Sequence, residues 1–251
     1  MLDLCKSVAE GVGEAVAPLV GKGDEDGLDA AAERAAFEIL KNSGISMLLV
    51  SEESGVTLLG DEPEYICVLD PLDGTYNAAM GIPVYAVSIA FSRYREGALL
   101  GDLEYAYVEN LYTRESYAAV KGGGAEKKGT LIAPSEEHDI ARGTYCVYLY
   151  GAQLRELAPA LERFKKIRIL GCASLELCLV AEGVYDGLID LRGCLRNVDI
   201  AAGKLIVEEA GGKVTGHRGT ALDVGIEKVN TLSLVVGGND YILRELTRLL
   251  G

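Results

Sequence analysis

The sequence has few basic residues relative to acidic ones. Its 24 Lys and Arg residues stand against 38 Asp and Glu residues, which gives a formal net charge of −14 and a pI near 4.7. Nucleic acids and anionic membranes are bound through clustered positive charge, so this balance argues against either as a partner. An anionic ligand would have to be met locally, by a metal ion or by a few basic groups.

Long apolar runs are absent as well. No uninterrupted stretch reaches the roughly 20 apolar residues of a membrane-spanning helix, and residues 1–6 are mixed and acidic rather than signal-like. The six cysteines show neither a CxxC pair nor zinc-finger spacing, and most lie in apolar surroundings, which favours reduced structural thiols. These absences predict a cytoplasmic protein.

The chain divides into two patterns. Residues 1–130 begin with two amphipathic helical segments and continue with strand-like runs, which predicts an α+β half with helices on an antiparallel-rich sheet. Residues 131–251 alternate strand and helix patterns, as α/β proteins do. At 251 residues the chain can bury a substantial core, as one large domain or as two closely packed halves. The expected helices are residues 4–20, 28–40, 153–164, 174–182, 199–210 and 240–250, and the expected strands are 47–50, 65–69, 84–93, 98–107, 111–117, 145–150, 167–170, 187–190 and 232–237.

The most informative motif is Asp-Pro-Leu-Asp-Gly-Thr at residues 70–75. The apolar run before it, residues 65–69, suits a buried strand, so Asp70 is expected at the carboxyl end of a strand. Pro71 donates no backbone hydrogen bond and ends the expected strand there, which leaves the Leu72 carbonyl free to point at a cation. The motif therefore places a carboxylate and a carbonyl oxygen at one sheet edge.

Asp73, Gly74 and Thr75 form the second part of this motif. Two carboxylates in so short a segment suit a hard cation such as Mg²⁺, which takes oxygen ligands and retains waters and phosphate oxygens. Gly74 tolerates a positive φ, and Thr75 offers an N–H and a hydroxyl where a helical turn begins. The alternative is an ordinary polar turn, since Asp, Pro, Gly and Thr are all turn residues.

Further acidic residues follow expected strands or open expected helices. Glu52 and Glu53 follow the apolar run 47–50, and ligands of open α/β sheets bind outside strand ends. A solvated acidic loop is the alternative for this pair. Asp199 opens an expected helix and Asp29 precedes another, so helix capping would explain both.

Taken together, these motifs resemble the inositol monophosphatase family of Mg²⁺-dependent phosphatases, and its archaeal-type dual-specificity members in particular. The likeness spans nearly the whole chain, and the motifs occur in the order of the family. It implies an α+β fold, a five-layer α/β/α/β/α sandwich with the site between two halves, and a homodimer. The matching segments are Ser-Glu-Glu-Ser at 51–54, residues 70–75 with Asn77, residues 81–89, Asp-Ile-Ala-Ala-Gly at 199–203, and Glu-Ala-Gly-Gly at 209–212.

The resemblance implies two metal-binding sets that Asp70 bridges, and it allows for a third, looser metal beside Glu52. It also implies that Asp29 and Thr75 orient and deprotonate the attacking water, with Glu52 as the third catalytic residue. Residues 73–75 would meet the phosphate, the last two through backbone N–H groups. One Mg²⁺ would be held by Glu52, Asp70, the Leu72 carbonyl and Thr75, the second by Asp70, Asp73 and Asp199, and the phosphate by Asp73, Gly74 and Thr75.

Two regions match the substrate-facing positions of the family. From segment 168–176 the resemblance implies contacts to the sugar or inositol. At Arg192 the dual-specificity members carry a basic residue, and an arginine can bind a second phosphate bidentately. Arg196 also flanks the late acidic motif, and a surface or dimer salt bridge is the alternative for each of the two arginines. The contacts implied in the first region come from Arg168, Gly171, Ala173, Ser174 and Glu176.

The sequence thus predicts a phosphatase that uses two or three Mg²⁺ ions and metal-activated water to hydrolyse inositol 1-phosphate and fructose 1,6-bisphosphate. Two alternatives stay open. One is a 3′-phosphoadenosine 5′-phosphate phosphatase of the same fold, although the chain shows no evident adenine-stacking segment. The other is a non-catalytic regulator that binds sugar phosphate, against which the intact acidic motifs argue.

Overall fold

The computed structural model describes residues 1–152 and 154–251. The helix expected at 153–164 starts on Gln153, which lies outside the described residues. The helices are α1 (Leu2–Val16), α2 (Glu25–Asn42), α3 (Thr75–Ala79), α4 (Leu154–Leu161), α5 (Ala173–Ala181), α6 (Asn197–Ala210) and α7 (Asp240–Leu250). The strands are β1 (Met47–Ser51), β2 (Gly55–Leu59), β3 (Tyr65–Asp73), β4 (Ala86–Arg93), β5 (Tyr105–Asn110), β6 (Ser116–Val120), β7 (Gly124–Lys127), β8 (Thr130–Leu131), β9 (Thr144–Val147), β10 (Lys166–Arg168), β11 (Gly187–Arg196), β12 (Lys213–Thr215) and β13 (Thr231–Gly237).

The first sheet has eight strands in the order β2-β1-β3-β4-β5-β6-β7-β8. Neighbouring strands run antiparallel except for β1 and β3, which are parallel. Side chains along β3 alternate between two hydrophobic clusters, so that Val68 faces one and Leu69 faces the other. Both faces of this strand are therefore covered, which explains its almost continuous apolar sequence.

Helices cover the two faces of the first sheet. On one face, α2 buries Leu28, Ala32, Ala36 and Leu40, which recur every four positions and form the apolar stripe that packs with α1 on the sheet. On the other face lie α5 and α6. A Cβ at Gly203 would lie 2.6 Å from Leu177 Cδ1, so the close packing of α5 on α6 requires glycine at this position.

The second sheet has five strands in the order β10-β9-β11-β13-β12. One face shares the core of α5 and α6, and the other packs on α4 and α7 around the stacked rings of Tyr145 and Phe164. The layers are thus helix pair, sheet, helix pair, sheet and helix pair. This arrangement confirms the predicted α+β class and the five-layer α/β/α/β/α sandwich.

Several predicted strand boundaries are wrong, because local hydrogen bonds close turns where the apolar pattern continues. The strand expected at 98–107 is interrupted by a short 3-10 turn at Leu100–Asp102, in which the Asp102 carboxylate accepts from the Leu99 N–H at 2.8 Å. The run at 111–117 starts with another turn, because the Asn110 side chain accepts from the N–H groups of residues 112 and 113. Strand β2 was not predicted at all.

The division of the chain at residue 130 stays a prediction. Strand β8 (Thr130–Leu131) lies across it, and α5 and α6 share one core with both sheets. Among the described helices, none is both long enough and apolar enough to span a membrane.

Candidate active site

The motif at residues 70–75 forms a bulge at the end of β3. Asp70 lies opposite Ser88 of β4 and Asp73 lies opposite Ala86, so three steps along β3 match two steps along β4. The prediction that the strand stops at Pro71 is therefore wrong. A bulge accommodates the missing proline N–H without ending the strand, and it turns Asp70 inward, where it is 1% exposed.

Gly74 and Thr75 follow the bulge as the sequence predicts. Gly74 has a φ of 89°, and a Cβ there would lie 2.9 Å from the carbonyl oxygen of Val84. Both the backbone angle and the close contact require glycine. Helix α3 then begins at Thr75.

Three carboxylates from separate elements converge beside this bulge. Glu52 lies in the turn after β1, Asp70 on β3, and Asp199 in the first turn of α6. Each offers one oxygen, and these oxygens lie within 4.8 Å of one another. We call Glu52, Asp70 and Asp199 the carboxylate triad. Its oxygen-only donor set is that of a hard divalent cation.

Arg196 contacts two members of the carboxylate triad. Its guanidinium donates to Glu52 Oε1, and its Nη2 lies 2.9 Å from Asp199 Oδ1. The Arg196 backbone N–H also donates to Asp199 Oδ2 at 2.8 Å. Asp199 is thus the third residue of α6 and not its N-cap, but it does cap the helix, because its carboxylate accepts from the backbone N–H of the N-cap residue Arg196.

Burial raises the pKa of Asp73 and of all three carboxyls of the triad. Desolvation raises the pKa of Glu52 to about 7, although Arg196 opposes the shift. Desolvation and the neighbouring Asp199 raise the pKa of Asp73 to about 6. The pKa of Asp70 is raised well above its ordinary value by burial and then by the charges of Asp73 and Glu52. One arginine does not compensate this charge, so the residues present fit a divalent cation.

Asp73 is bonded to the adjoining helix and lies outside the triad. Its Oδ2 accepts from the Ser174 N–H at 2.7 Å, from the Ser174 hydroxyl at 2.6 Å, and from the Cys172 thiol at 3.2 Å. These donors stand at the start of α5, across the gap between the two sheets. The role of Asp73 as a metal and phosphate ligand stays a prediction.

Thr75 and Asp29 form a hydrogen-bonded pair. The Thr75 hydroxyl lies 2.7 Å from Asp29 Oδ1 and 2.9 Å from the Leu72 carbonyl, and its single proton serves one acceptor at a time. When the proton is given to Asp29, the Leu72 carbonyl is free for a cation. Asp29 does not cap α2, because the helix begins earlier and Asp24 accepts from the Gly27 N–H at 3.0 Å.

The substrate-facing segment lies partly in the protein interior. Glu176 is fully buried, and its carboxylate accepts from the Tyr148 hydroxyl, the Cys146 thiol and the Leu170 N–H. Ala173 and Ser174 are buried as well, whereas Gly171 and Arg168 are exposed. The substrate contacts of these five predicted residues stay predictions.

Arg192 occupies a buried pocket between two tyrosines. Its guanidinium centre lies 4.4 Å from the ring centres of both Tyr148 and Tyr150, and Nη2 donates to Asp190 Oδ2 at 2.6 Å. Its Nη1 is buried without a hydrogen-bond partner among the described residues. The predicted alternative of an ion pair is thus present with Asp190, while one donor nitrogen is left for a ligand.

Sequence reasoning missed the two tyrosines around Arg192, and it named Asn77 and Arg196 without their contacts. The two tyrosines around Arg192 carried no motif, and Asn77 proves to join the halves by donating to the carbonyls of Val84 and Leu170 at 2.8 Å. Arg196 had a readable signal, because an arginine three residues before an acidic residue at a helix start pairs with it. Its second contact, to Glu52, is long-range and has no such signal.

The comparisons with known proteins agree with this geometry. A family model described as the inositol monophosphatase family matches residues 17–248. A Methanothermobacter thermautotrophicus protein named fructose-1,6-bisphosphatase/inositol-1-monophosphatase is 41% identical, over 92% of this chain and 90% of that protein. A Methanococcus maripaludis protein named bifunctional NADP phosphatase/NAD kinase is 33% identical over the whole of this chain, which spans 49% of that protein. The solved structure of an extragenic suppressor from Pyrococcus furiosus has a TM-score of 0.83 and 27% identity over 97% of both chains.

The five-layer sandwich with an acidic cluster between its layers defines a metal-dependent phosphatase, a phosphoric monoester hydrolase. The chain belongs to the inositol monophosphatase family.

The raised pKa values predict a stability that depends on pH when divalent cations are removed. A carboxyl whose pKa is raised by folding binds its proton more tightly in the folded state, so its stabilising effect is complete below the unfolded pKa and is lost as the pH rises through the folded one. For Glu52 this window runs from about 4.5 to about 7. In EDTA, the free energy of unfolding should fall across this window, and saturating Mg²⁺ should reduce the fall.

The measurement is thermal unfolding across this pH range, with EDTA and with Mg²⁺. Glu52→Gln is the matched variant, because it removes the titrating group and should flatten part of the slope in EDTA. Equal slopes for the variant and the wild type would contradict the assignment to Glu52.

Proposed function

We propose that the chain is a Mg²⁺-dependent phosphatase that releases phosphate from both inositol 1-phosphate and fructose 1,6-bisphosphate. The observation that carries this proposal is the carboxylate triad next to the pair formed by Thr75 and Asp29. The names of the archaeal relatives support the two substrates. We further propose that Mg²⁺ is the cation, that two or three ions bind, and that the protein is a cytoplasmic homodimer.

The triad would hold the cations together with Asp73, the Leu72 carbonyl and Thr75. Bound divalent cations supply charge that lowers the pKa of an attacking water and stabilises the leaving oxygen. The Thr75 hydroxyl donates its proton to Asp29 Oδ1 at 2.7 Å. Its oxygen would then accept a hydrogen bond from the attacking water. The attacking water would give a proton to the Thr75 hydroxyl oxygen, and Thr75 would give its own proton to the Asp29 carboxylate through this hydrogen bond.

The phosphate would be held at the turn before α3. Gly74 has no side chain, so a phosphate oxygen can approach the N–H groups of Gly74 and Thr75 directly. Charge stabilisation and positioning are the main tasks of a protein in phosphoryl transfer, and this turn supplies both next to the triad.

The second phosphate of fructose 1,6-bisphosphate would bind Arg192. Its Nη1 has no partner among the described residues, while Asp190 and two tyrosines fix the guanidinium plane. A fixed guanidinium with a free donor recognises phosphate with little loss of side-chain entropy. Inositol 1-phosphate has no group that needs this donor.

This assignment predicts different effects on the two substrates. Arg192→Lys should raise KM for fructose 1,6-bisphosphate about 10- to 100-fold, since hydrogen bonds to charged groups contribute about 1.5–3 kcal/mol. KM for inositol 1-phosphate should change less than about threefold, because this substrate has no second phosphate and loses at most a weak neutral contact of about 0.5 kcal/mol. Steady-state kinetics with both substrates measures this. Arg248→Lys, which alters an exposed pair with Glu245, is the control, and equal KM changes for both substrates would contradict the role.

The experiment that tests the function is phosphate release with Mg²⁺ and with EDTA. Inositol 1-phosphate, fructose 1,6-bisphosphate, NADP and 3′-phosphoadenosine 5′-phosphate are offered in parallel. Mg²⁺-dependent turnover of the first two is expected. NADP is included because of the relative named NADP phosphatase/NAD kinase, and turnover of a nucleotide alone would replace the substrates. The other predicted alternatives are not favoured, and a complete lack of turnover would revive the non-catalytic regulator.

A further inference from the structure

Arg196 stands at the junction between β11 and α6. It is the last residue of the strand, and the helix that carries Asp199 begins at the next position. Its side chain is 36% exposed, so one side of the guanidinium faces solvent while the other faces the carboxylate triad. The side chain can therefore leave the triad without disturbing the core.

The guanidinium joins carboxylates from two different layers. Nη1 donates to Glu52 in the turn after β1, which belongs to the first sheet, and Nε lies 3.0 Å from Asp199 Oδ1 on the central helix α6. Asp70 is not part of this bridge, because its Oδ1 accepts from the Leu72 N–H at 3.0 Å. Two of the three triad carboxylates thus already have a cationic partner from the chain itself.

A divalent cation in the triad needs oxygens from these same carboxylates. Magnesium binds carboxylate oxygens at about 2.0–2.1 Å and requires near-octahedral geometry, so oxygens that converge on a guanidinium must turn to the ion. A guanidinium left in place would also face a doubly charged ion at short range, where like charges repel strongly. The two cationic groups therefore compete for Glu52 and Asp199.

We propose that Arg196 is a displaceable counter-ion of the carboxylate triad, which neutralises Glu52 and Asp199 until a divalent cation binds and pushes it out. The inference rests on the proposed function, because it takes the triad as the cation site. Arg196 then has two effects. It weakens the binding of the cation, and it joins the first sheet to α6 when the cation is removed.

The test is the affinity of the full chain for Mn²⁺ alone, without substrate, measured by calorimetry and by the loss of the free-ion signal in electron paramagnetic resonance. Arg196→Gln removes the competitor, and Arg196→Lys keeps the charge but cannot bridge two carboxylates. Arg114→Gln is the matched control, since it breaks an ion pair with the buried Glu109 in the first sheet. Thermal unfolding of each protein is recorded with EDTA and with saturating Mn²⁺.

Arg196→Gln should bind Mn²⁺ about tenfold more tightly than the wild type, a factor that corresponds to the loss of one charge-assisted contact. Arg196→Lys should bind with intermediate affinity, and Arg114→Gln should bind like the wild type. In EDTA, Arg196→Gln should melt at a lower temperature than the wild type, and Mn²⁺ should raise its melting temperature by more. If the Gln variant fails to fold, the Lys variant carries the comparison.

Equal Mn²⁺ affinity in the wild type and the folded Gln variant would overturn the inference about Arg196 and leave the cation site intact. A Lys variant that binds Mn²⁺ as tightly as the Gln variant would also overturn it, because a positive charge at this position would then not compete with the cation. A wild type that binds no Mn²⁺ would overturn both this inference and the proposed metal site, so the two failures are distinguishable.

Discussion

Replacing Asp70 with asparagine is expected to lower kcat/KM at least about a thousandfold, because cations contribute several kcal/mol of transition-state charge stabilisation and each 1.36 kcal/mol is a factor of ten. Asp70 is the most buried triad member. The amide keeps the oxygen that accepts from the Leu72 N–H, so the bulge should survive. Phosphate release and Mn²⁺ binding are the measurements.

The stability of the same variant should change in the opposite direction to its activity. Burial and the charges of Asp73 and Glu52 disfavour the Asp70 carboxylate, so in EDTA the neutral amide should leave the melting temperature unchanged or raise it. Asp186→Asn is the control: this buried aspartate accepts from the Thr144 N–H at 2.7 Å away from the triad. It should lose stability and keep activity. Substantial turnover by Asp70→Asn would sink the assignment of Asp70 to a cation.

Replacing Thr75 with valine is expected to lower kcat about 100- to 1000-fold, in the range of a lost general-base pathway. Valine has nearly the shape of threonine, so the change removes the hydroxyl between Asp29 and the Leu72 carbonyl and little else. KM should change much less than kcat, because the proposed phosphate contacts at this turn come from backbone N–H groups. Steady-state kinetics at saturating Mg²⁺ measures both.

A double-mutant cycle distinguishes a catalytic pair from two separate contributions. If Thr75 and Asp29 act together, then Thr75→Val combined with Asp29→Asn should lose little more activity than either variant alone. Thr247→Val serves as the control, since its hydroxyl bonds within α7 to the Leu243 carbonyl at 3.0 Å. Fully additive losses in the double variant would argue that the two residues act independently.

Local patterns predicted most helices and strands and the acidic motifs, because each depends on neighbours in sequence, whereas the five-layer arrangement followed from the family resemblance. The four-residue spacing in α2 and the apolar run in β3 follow from which faces they bury. Gly74 was identified because a tight turn before a helix needs a positive φ. The convergence of Glu52, Asp70 and Asp199 followed only from the family resemblance, since no local rule joins residues so far apart in the chain.

Other features depended on contacts that the sequence does not encode locally. Proline normally ends a strand, but the bulge against β4 carries β3 past Pro71. Asp29 looks like a helix cap, but α2 starts at Glu25, so Asp29 lies inside the helix and accepts from Thr75. Asp199 does cap α6 as its third residue, and it also belongs to the carboxylate triad, which the capping pattern alone does not reveal. The bridge from Arg196 to Glu52 joins segments 144 residues apart.

Helix α6 lies between the two sheets and carries Asp199, so the proposed cation site is complete only after α6 has packed in place. During synthesis Glu52 and Asp70 emerge long before α6 ends at Ala210. A growing chain that has formed only the first sheet has Glu52 and Asp70 but not Asp199. It also lacks helices α5 and α6, which cover one face of this sheet. Under the proposed cation site, only chains in which α6 has packed in place retain the ion, and truncated or misassembled chains do not.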